Sequence, residues 1–170
     1  MTKSRHRKTK LLIIIDLHQD IETGIIFVKI TIQPIYMEKL QALEKLHRRM
    51  IEEIQDYSII LLDLDGTILS WNKGAEQIQG YLSPEILGQN FRLFYLPQDR
   101  QEKLPEKLLE LAKTEGRARH IGRRVRKDGT IFWGSILITA LHDEENNVVG
   151  FTKLTRELRE QDWVSPRTIL

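Results

Sequence analysis

The spacing of apolar and polar positions changes character three times along the chain. Residues 11–17 and 25–32 are apolar, β-rich runs on either side of Glu22-Thr23-Gly24, a pattern that predicts a hairpin. An isolated hairpin is marginal in water unless it packs on something. A second reading therefore stands beside the first: residues 1–36 form an N-terminal extension upstream of the true start, since Met37 opens a well-formed helix. From Met37 the period becomes helical. Leu40, Leu43, His47, Met50, Ile54 and Tyr57 step by three and four, while Glu38, Lys39, Glu44, Lys45, Arg48 and Arg49 fall mostly on other faces. This predicts an amphipathic helix over residues 37–56, either packed on its own domain or pairing as a homodimer through Leu40, Leu43, Met50 and Ile54.

Beyond residue 57 the pattern reads strand, strand, helices, then three strands. Residues 58–64 and 67–71 flank Asp65-Gly66, the strongest short hairpin signal in the chain. Asn72 suits the N-cap of a helix over 73–79 that stops at Gly80, and Ser83-Pro84-Glu85 opens a short helical turn. Leu104-Pro105 starts a longer helix with Leu108, Leu111 and Ala112 on one stripe, closed by Gly116. Residues 117–127, 130–142 and 147–154 read as strands joined by Asp128-Gly129 and a polar turn. Alternation in the middle one puts Phe132, Gly134, Ile136, Ile138 and Ala140 on one face, and Ile131, Trp133, Ser135, Leu137 and Leu141 on the other. Both faces are apolar, so one lines the core and the other meets the preceding helix or a second subunit, or both are simple core.

Composition narrows the class. A chain of 170 residues, 41% hydrophobic and 29% charged, fits one globular domain with extra segments at its ends. The formal charge of +2 hides an uneven distribution: residues 1–10 carry five Lys and Arg and no acid, leaving 21 basic against 24 acidic residues in the rest, a net of −3. No cysteine is present, which excludes disulfides, thiolate metal sites and thiol nucleophiles. The longest early apolar run, residues 11–15, is too short for a membrane span or a signal peptide, so a cytoplasmic location is expected.

Several local motifs share one order and spacing with a known family. They are Asp65-Gly66-Thr67-Ile68 followed by Trp71-Asn72-Lys73-Gly74-Ala75-Glu76, then Gly80-Tyr81-Leu82-Ser83-Pro84-Glu85, Leu96-Pro97-Gln98-Asp99-Arg100, Arg126-Lys127-Asp128-Gly129-Thr130 and Gly150-Phe151-Thr152-Lys153. In these the chain resembles the PAS domain from about residue 53 to 160, most of all the PAS sensors of bacterial two-component histidine kinases. The resemblance implies an α+β fold. Its five-stranded antiparallel sheet, order 2-1-5-4-3, would carry helices on one face around a cavity lined by Ile78, Phe91, Phe94, Phe132 and Ile136. The PAS domain proper would cover residues 57–159, with a short tail over 160–170.

The same resemblance sorts the ligands. Flavin-binding relatives attach their cofactor to a cysteine within Gly-x-Asn-Cys-Arg-Phe; here Gly88-Gln89-Asn90-Phe91-Arg92-Leu93 puts Phe91 in that place, and Arg124, Gly134 and Thr152 replace the usual polar partners. Haem-binding relatives use a histidine on the long helix, and residues 104–115 contain none; His120 follows on the next strand. His6, His18, His47 and His142 form no metal-ligand spacing. No cofactor and no metal are expected, an unidentified small ligand remains open, and Arg123 or Arg124 would serve a carboxylate ligand. The basic strand from Arg117 to Lys127 has no aromatic residue to stack a base, so nucleic acid is not the expected partner.

One motif points elsewhere. Residues 59–69 match the first motif of haloacid-dehalogenase-like phosphatases, in which Asp63 would be the nucleophile and Asp65 the acid/base beside Mg²⁺. That fold needs a parallel sheet and three later motifs; Thr139 and Asp143-Glu144 imitate the first and last of these but sit only four residues apart in one hairpin, which is the wrong architecture. The expected function is therefore a non-catalytic sensory module, dimeric through the first helix, with a histidine kinase or response regulator as partner for its output. A purely structural dimerisation domain is the alternative. The family's closing Asp-x-Thr has no match at Arg156-Glu157-Leu158-Arg159.

Overall fold

The computed structural model describes residues 13–19, 26–32, 34–159 and 162. The chain divides into two compact units, residues 1–49 and 50–170. In the first, β1 (Ile13–Gln19) and β2 (Ile26–Ile32) pair antiparallel from Ile13↔Ile32 to Gln19↔Ile26. The basic residues 1–10 and the tail from residue 160, Asp162 excepted, lie outside the described residues.

Helix α1 (Pro34–Glu53) carries the amphipathic pattern, three residues earlier at each end than the spacing predicts. Pro34 explains the start, because its fixed φ suits the first helical turn and its missing N–H would be unbonded there anyway. At the other end, the carbonyls of Ile51, Ile54 and Tyr57 converge on one side chain, that of Asn72. Residues 37–50 are all exposed within the chain.

The second unit is built on a four-stranded antiparallel sheet, order β3-β6-β5-β4, formed by β3 (Ser58–Leu62), β4 (Arg117–Val125), β5 (Ile131–His142) and β6 (Val148–Glu157). Helices α2 (Lys73–Gln79), α3 (Ser83–Ile86), α4 (Pro97–Gln101) and α5 (Leu104–Glu115) fall between β3 and β4, together with a 3-10 turn at Phe91–Phe94. Burial alternates strictly along β5 from Phe132 to Ala140, the even residues facing the core. Phe91, Phe94, Ile60, Leu62, Ile138 and Phe151 meet there, each contributing about 1.5–3 kcal/mol by leaving water.

The expected fifth strand is absent. Residues 67–71 make only isolated bridges, Leu62↔Ile68 and Thr67↔Asn90. Side chains have taken over part of the backbone ladder: the Leu69 amide still donates to the Leu61 carbonyl and the Asp63 amide to that of Thr67, but the Ile59 and Leu61 amides donate to Asn72 Oδ1 at 2.9 Å and Ser70 Oγ at 3.1 Å. Ile68 meanwhile turns its own backbone to Gly88 and Gln89. The bend before it depends on Gly66, whose φ is +82°, and on Asp63 Oδ1, which accepts from the Asp65 and Thr67 amides. A Cβ on Gly66 would come within 2.6 Å of the Phe91 ring.

Candidate functional site

Because side chains alternate across the sheet, the pairing register decides what faces the helices. Across β3, β6, β5 and β4 one inner row runs Ser58, Thr155, Ile136, His120; the next brings together Glu157, Gly134 and Gly122. On the same face, the row beyond the first, away from Gly134, places Lys153 between Ile60 and Ile138.

Two cations lie on this inner face. Lys153 is 0% exposed and Arg124 1%. Gly122 makes room for the arginine: a Cβ there would sit 3.1 Å from Arg124 Nη1 and 2.4 Å from the His120 ring. The guanidinium stacks on Tyr95, 3.9 Å from the ring centre, donates through Nη1 to the Arg123 carbonyl, and lies 3.3 Å through Nη2 from His120 Nδ1. Lys153 Nζ donates to Thr155 Oγ1 at 2.7 Å and lies 5.5 Å from the centre of the Phe94 ring. Gln79 Nε2 donates to Ser58 Oγ alongside. Among the described residues, Arg124 Nε and Gln79 Oε1 are buried without a hydrogen-bond partner.

Burial and the Arg124 charge bring the Lys153 ammonium down to about 7. Burial also lowers His120, again helped by Arg124 and opposed by Asp99. Tyr95 moves the other way, burial raising its phenol against the attraction of Arg124. Each shift favours the neutral form, as a low-dielectric interior requires. Neither Arg124 nor Lys153 has a carboxylate within ion-pair distance among the described residues, and an unpaired buried charge costs several kcal/mol.

All five residues expected to line the cavity are buried, but they fall into two groups. Phe91, Phe94 and Ile136 belong to the core cluster around the cations. Ile78 and Phe132 gather instead at Arg126, which donates to the Ile78 carbonyl, covers the Phe132 ring at 4.2 Å and pairs with Glu157 at 2.6 Å. Arg123 and Arg124 also separate, Arg123 being exposed on the opposite face of β4. Lys153, Tyr95 and Gln79 were not expected here. The alternation Phe151, Lys153, Thr155 was their signal, since it sets a lysine on the same face as a core phenylalanine.

A second feature connects this interior to α1. Phe94 stacks on Trp71 with ring centres 5.7 Å apart, and the next residue, Asn72, is 2% exposed. Its amide nitrogen lies 2.8 Å from the Ile54 carbonyl, 3.1 Å from that of Tyr57 and 3.3 Å from that of Ile51. Its oxygen caps α2 through the Ala75 amide and holds β3 through the Ile59 amide. Gly74 completes the clasp, for a Cβ there would sit 2.1 Å from the Tyr57 carbonyl oxygen.

Asp63 and Asp65 close a turn after a strand of an antiparallel sheet, not the parallel sheet that the phosphatase motif requires. Hydrogen bonds from Thr67, Asp65 and Gly66, acting against desolvation, keep the Asp63 carboxyl below its usual value.

The family model described as PAS fold matches residues 45–156. The chain belongs to the PAS family. Among curated proteins, this PAS chain is 38% identical over 115 residues to Two-component system protein A of Emericella nidulans, covering 68% of the chain and 17% of that protein. It is 24% identical over 99 residues to the Bacterioopsin transcriptional activator of Halobacterium salinarum, covering 58% of the chain and 14% of that protein. The chain therefore matches only a small part of these relatives. Among solved structures, the PAS domain of a Colwellia psychrerythraea protein superimposes with a TM-score of 0.63 at 25% identity, covering 68% of this chain and 97% of that one. No helix among the described residues is long and apolar enough to cross a membrane.

Proposed function

We propose that this PAS domain is a non-catalytic sensory module of two-component-type signalling. It would bind a small molecule in its interior and relay that state through α1, with a histidine kinase or response regulator as its output partner. The observation that carries this reading is the short physical route from interior to helix: the Phe94 ring has the Lys153 ammonium 5.5 Å from its centre and stacks on Trp71, and Asn72 beside Trp71 bonds the Ile51 carbonyl in the last turn of α1 and the Ile54 carbonyl just past its end. A ligand that moved Phe94 would shift the balance between two arrangements of that helix end. The resemblance to Two-component system protein A supports the signalling context. The exposed apolar residues Leu40, Leu43, Met50 and Ile54 support a homodimer formed along the helix.

Amide hydrogen exchange tests the route. Phe94→Leu keeps an apolar side chain but removes the stacked ring. Residues 50–57 are expected to exchange faster by about tenfold, the effect of losing about 1.4 kcal/mol of local stability, while the β5 amides stay protected. Unchanged exchange in 50–57 would sink the relay and favour a purely structural dimerisation domain.

A further inference from the structure

We propose that the free edge of β4 receives an extended acidic segment of a partner protein, which adds to the sheet as an antiparallel strand and neutralises Arg117, Arg119 and Arg123. The proposal does not depend on anything binding in the interior. Its basis is a contrast between the two edges of the sheet, β3 and β4. The β3 edge is largely spent: the Ile59 and Leu61 amides bond Asn72 and Ser70, the Leu61 carbonyl accepts from the Leu69 amide, and the Asp63 amide donates to the Thr67 carbonyl. The β4 edge is open. The Ala140 amide donates to the Gly116 carbonyl, so along the regular register that follows, the even residues of β4 bond β5 and the odd ones turn their backbone outward. Among the described residues, the outward N–H and C=O groups of Arg117, Arg119 and Ile121 meet no backbone partner. The Arg123 carbonyl accepts from Arg124 Nη1, which leaves its amide for an added strand.

The same odd residues decide what can pair there. Arg117, Arg119, Ile121 and Arg123 are all exposed on one face of the strand, while Ala118, Gly122 and Arg124 are buried on the other. None of these three arginines has a carboxylate within ion-pair distance among the described residues, whereas Arg92, Arg126, Lys127 and Arg156 each have one. From Arg117 to Arg123 the strand extends about 20 Å. A strand laid antiparallel along it presents every second side chain to this row, so carboxylates opposite the three arginines and an apolar residue opposite Ile121 would complete it. A second copy of this chain does not fit, because β4 against β4 would bring two arginine rows together on one face. This nine-residue strand contains no proline and pairs with β5 without a bulge, two devices that commonly blunt an edge. Charge guards it instead, and charge of one sign admits a strand of the other.

Nuclear magnetic resonance of the full chain tests this with the capped peptide Glu-Thr-Val-Thr-Glu-Thr-Glu, whose glutamates would face Arg123, Arg119 and Arg117 and whose valine would face Ile121. With the peptide at about ten times its Kd, the Arg117, Arg119 and Ile121 amides should exchange with water about tenfold more slowly, while the even-numbered β4 amides keep their rates. Raising NaCl from about 50 to about 500 mM should weaken binding by about fivefold or more. Arg119→Glu should weaken it by about tenfold or more, and Arg119→Lys less. The counter-probes are the same peptide with lysine for each glutamate, the acidic peptide N-methylated at its valine and central glutamate, and an oligothymidylate. Equal binding of the N-methylated peptide would overturn the added strand, since it keeps the charges and lacks the donors. Equal binding of the lysine peptide, or binding of the oligothymidylate in place of the acidic peptide, would overturn the acidic partner. Slow exchange of the odd β4 amides before any peptide is added, growing with protein concentration, would assign the edge to a second copy and overturn the proposal too. So would silence from every probe. Exchange of residues 50–57 in Phe94→Leu decides the sensory reading separately.

Discussion

Lys153 shows how a single residue sets a property of the whole domain. Its folded value of about 7 lies well below the roughly 10.4 of a free lysine, so between these limits the unfolded chain holds more protons than the native one. Stability must then rise with pH from about 7 toward 10, by at most about 1.4 kcal/mol per pH unit. Arg124 from β4 opposes the lysine's charge, Phe94 covers it and Thr155 supplies its hydrogen bond; no described carboxylate offsets the effect by pairing with it. Tyr95, raised by burial, limits the gain above pH 10 because the unfolded chain then loses its phenol proton first. His120, lowered by burial, removes stability as pH falls through about 6.5. Urea unfolding from pH 7 to 9 should therefore show a rising midpoint in the native chain and a nearly flat one in Lys153→Met. The variant should also be the more stable at pH 7. A parallel rise in both proteins would show that the lysine is not the titrating group. This residue was hard to read from sequence because its burial depends on the pairing of β6 with β3 and β5, which local spacing does not supply. Arg124 was legible only as one of two adjacent arginines, separated by the register of β4.

At the scale of elements, tight turns made most of the sheet legible. Asp128 accepts from the Thr130 amide and hydroxyl just as Asp63 accepts from Asp65 and Thr67, and each turn has a glycine at positive φ. Turn chemistry of this kind is encoded within a few residues. The missing fifth strand was not legible for the complementary reason. Residues 67–71 have strand-like composition, but the donors of β3 bond the Asn72 and Ser70 side chains, a choice made in three dimensions. Removing one of them gives a specific expectation. Ser70→Ala leaves the Leu61 amide without its hydroxyl acceptor, and because Ser70 is exposed, water replaces much of the bond. The loss should be about 0.5–1 kcal/mol by urea unfolding. Asn72→Ala removes contacts to both α1 and β3 from a buried position and should cost about 2–4 kcal/mol. Equal losses in the two variants would contradict the assignment of Asn72 as the clasp.

For the whole molecule, the open question is what covers α1. Leu40, Leu43, Leu46 and Met50 are between 41% and 63% exposed in the single chain. Leu40, Leu43, Met50 and Ile54 follow the three-and-four spacing by which two helices bury one seam between them. The charges on the remaining faces hold that seam to one side. If two chains associate through it, light scattering of the native protein should give twice the 20.0 kDa chain mass. Leu43→Glu combined with Met50→Glu should return the mass of one chain, because two carboxylates facing their counterparts in an apolar seam would each be desolvated without a partner. The domain itself should be spared. The β5 amides of the double variant should remain protected from exchange, since their pairing with β4 and β6 involves neither residue. A native chain that scatters as a monomer would remove the dimer, and a double variant that remains dimeric would move its interface off α1. In either case the clasp at Asn72 would still tie the helix end to the interior, because its hydrogen bonds are made within one chain.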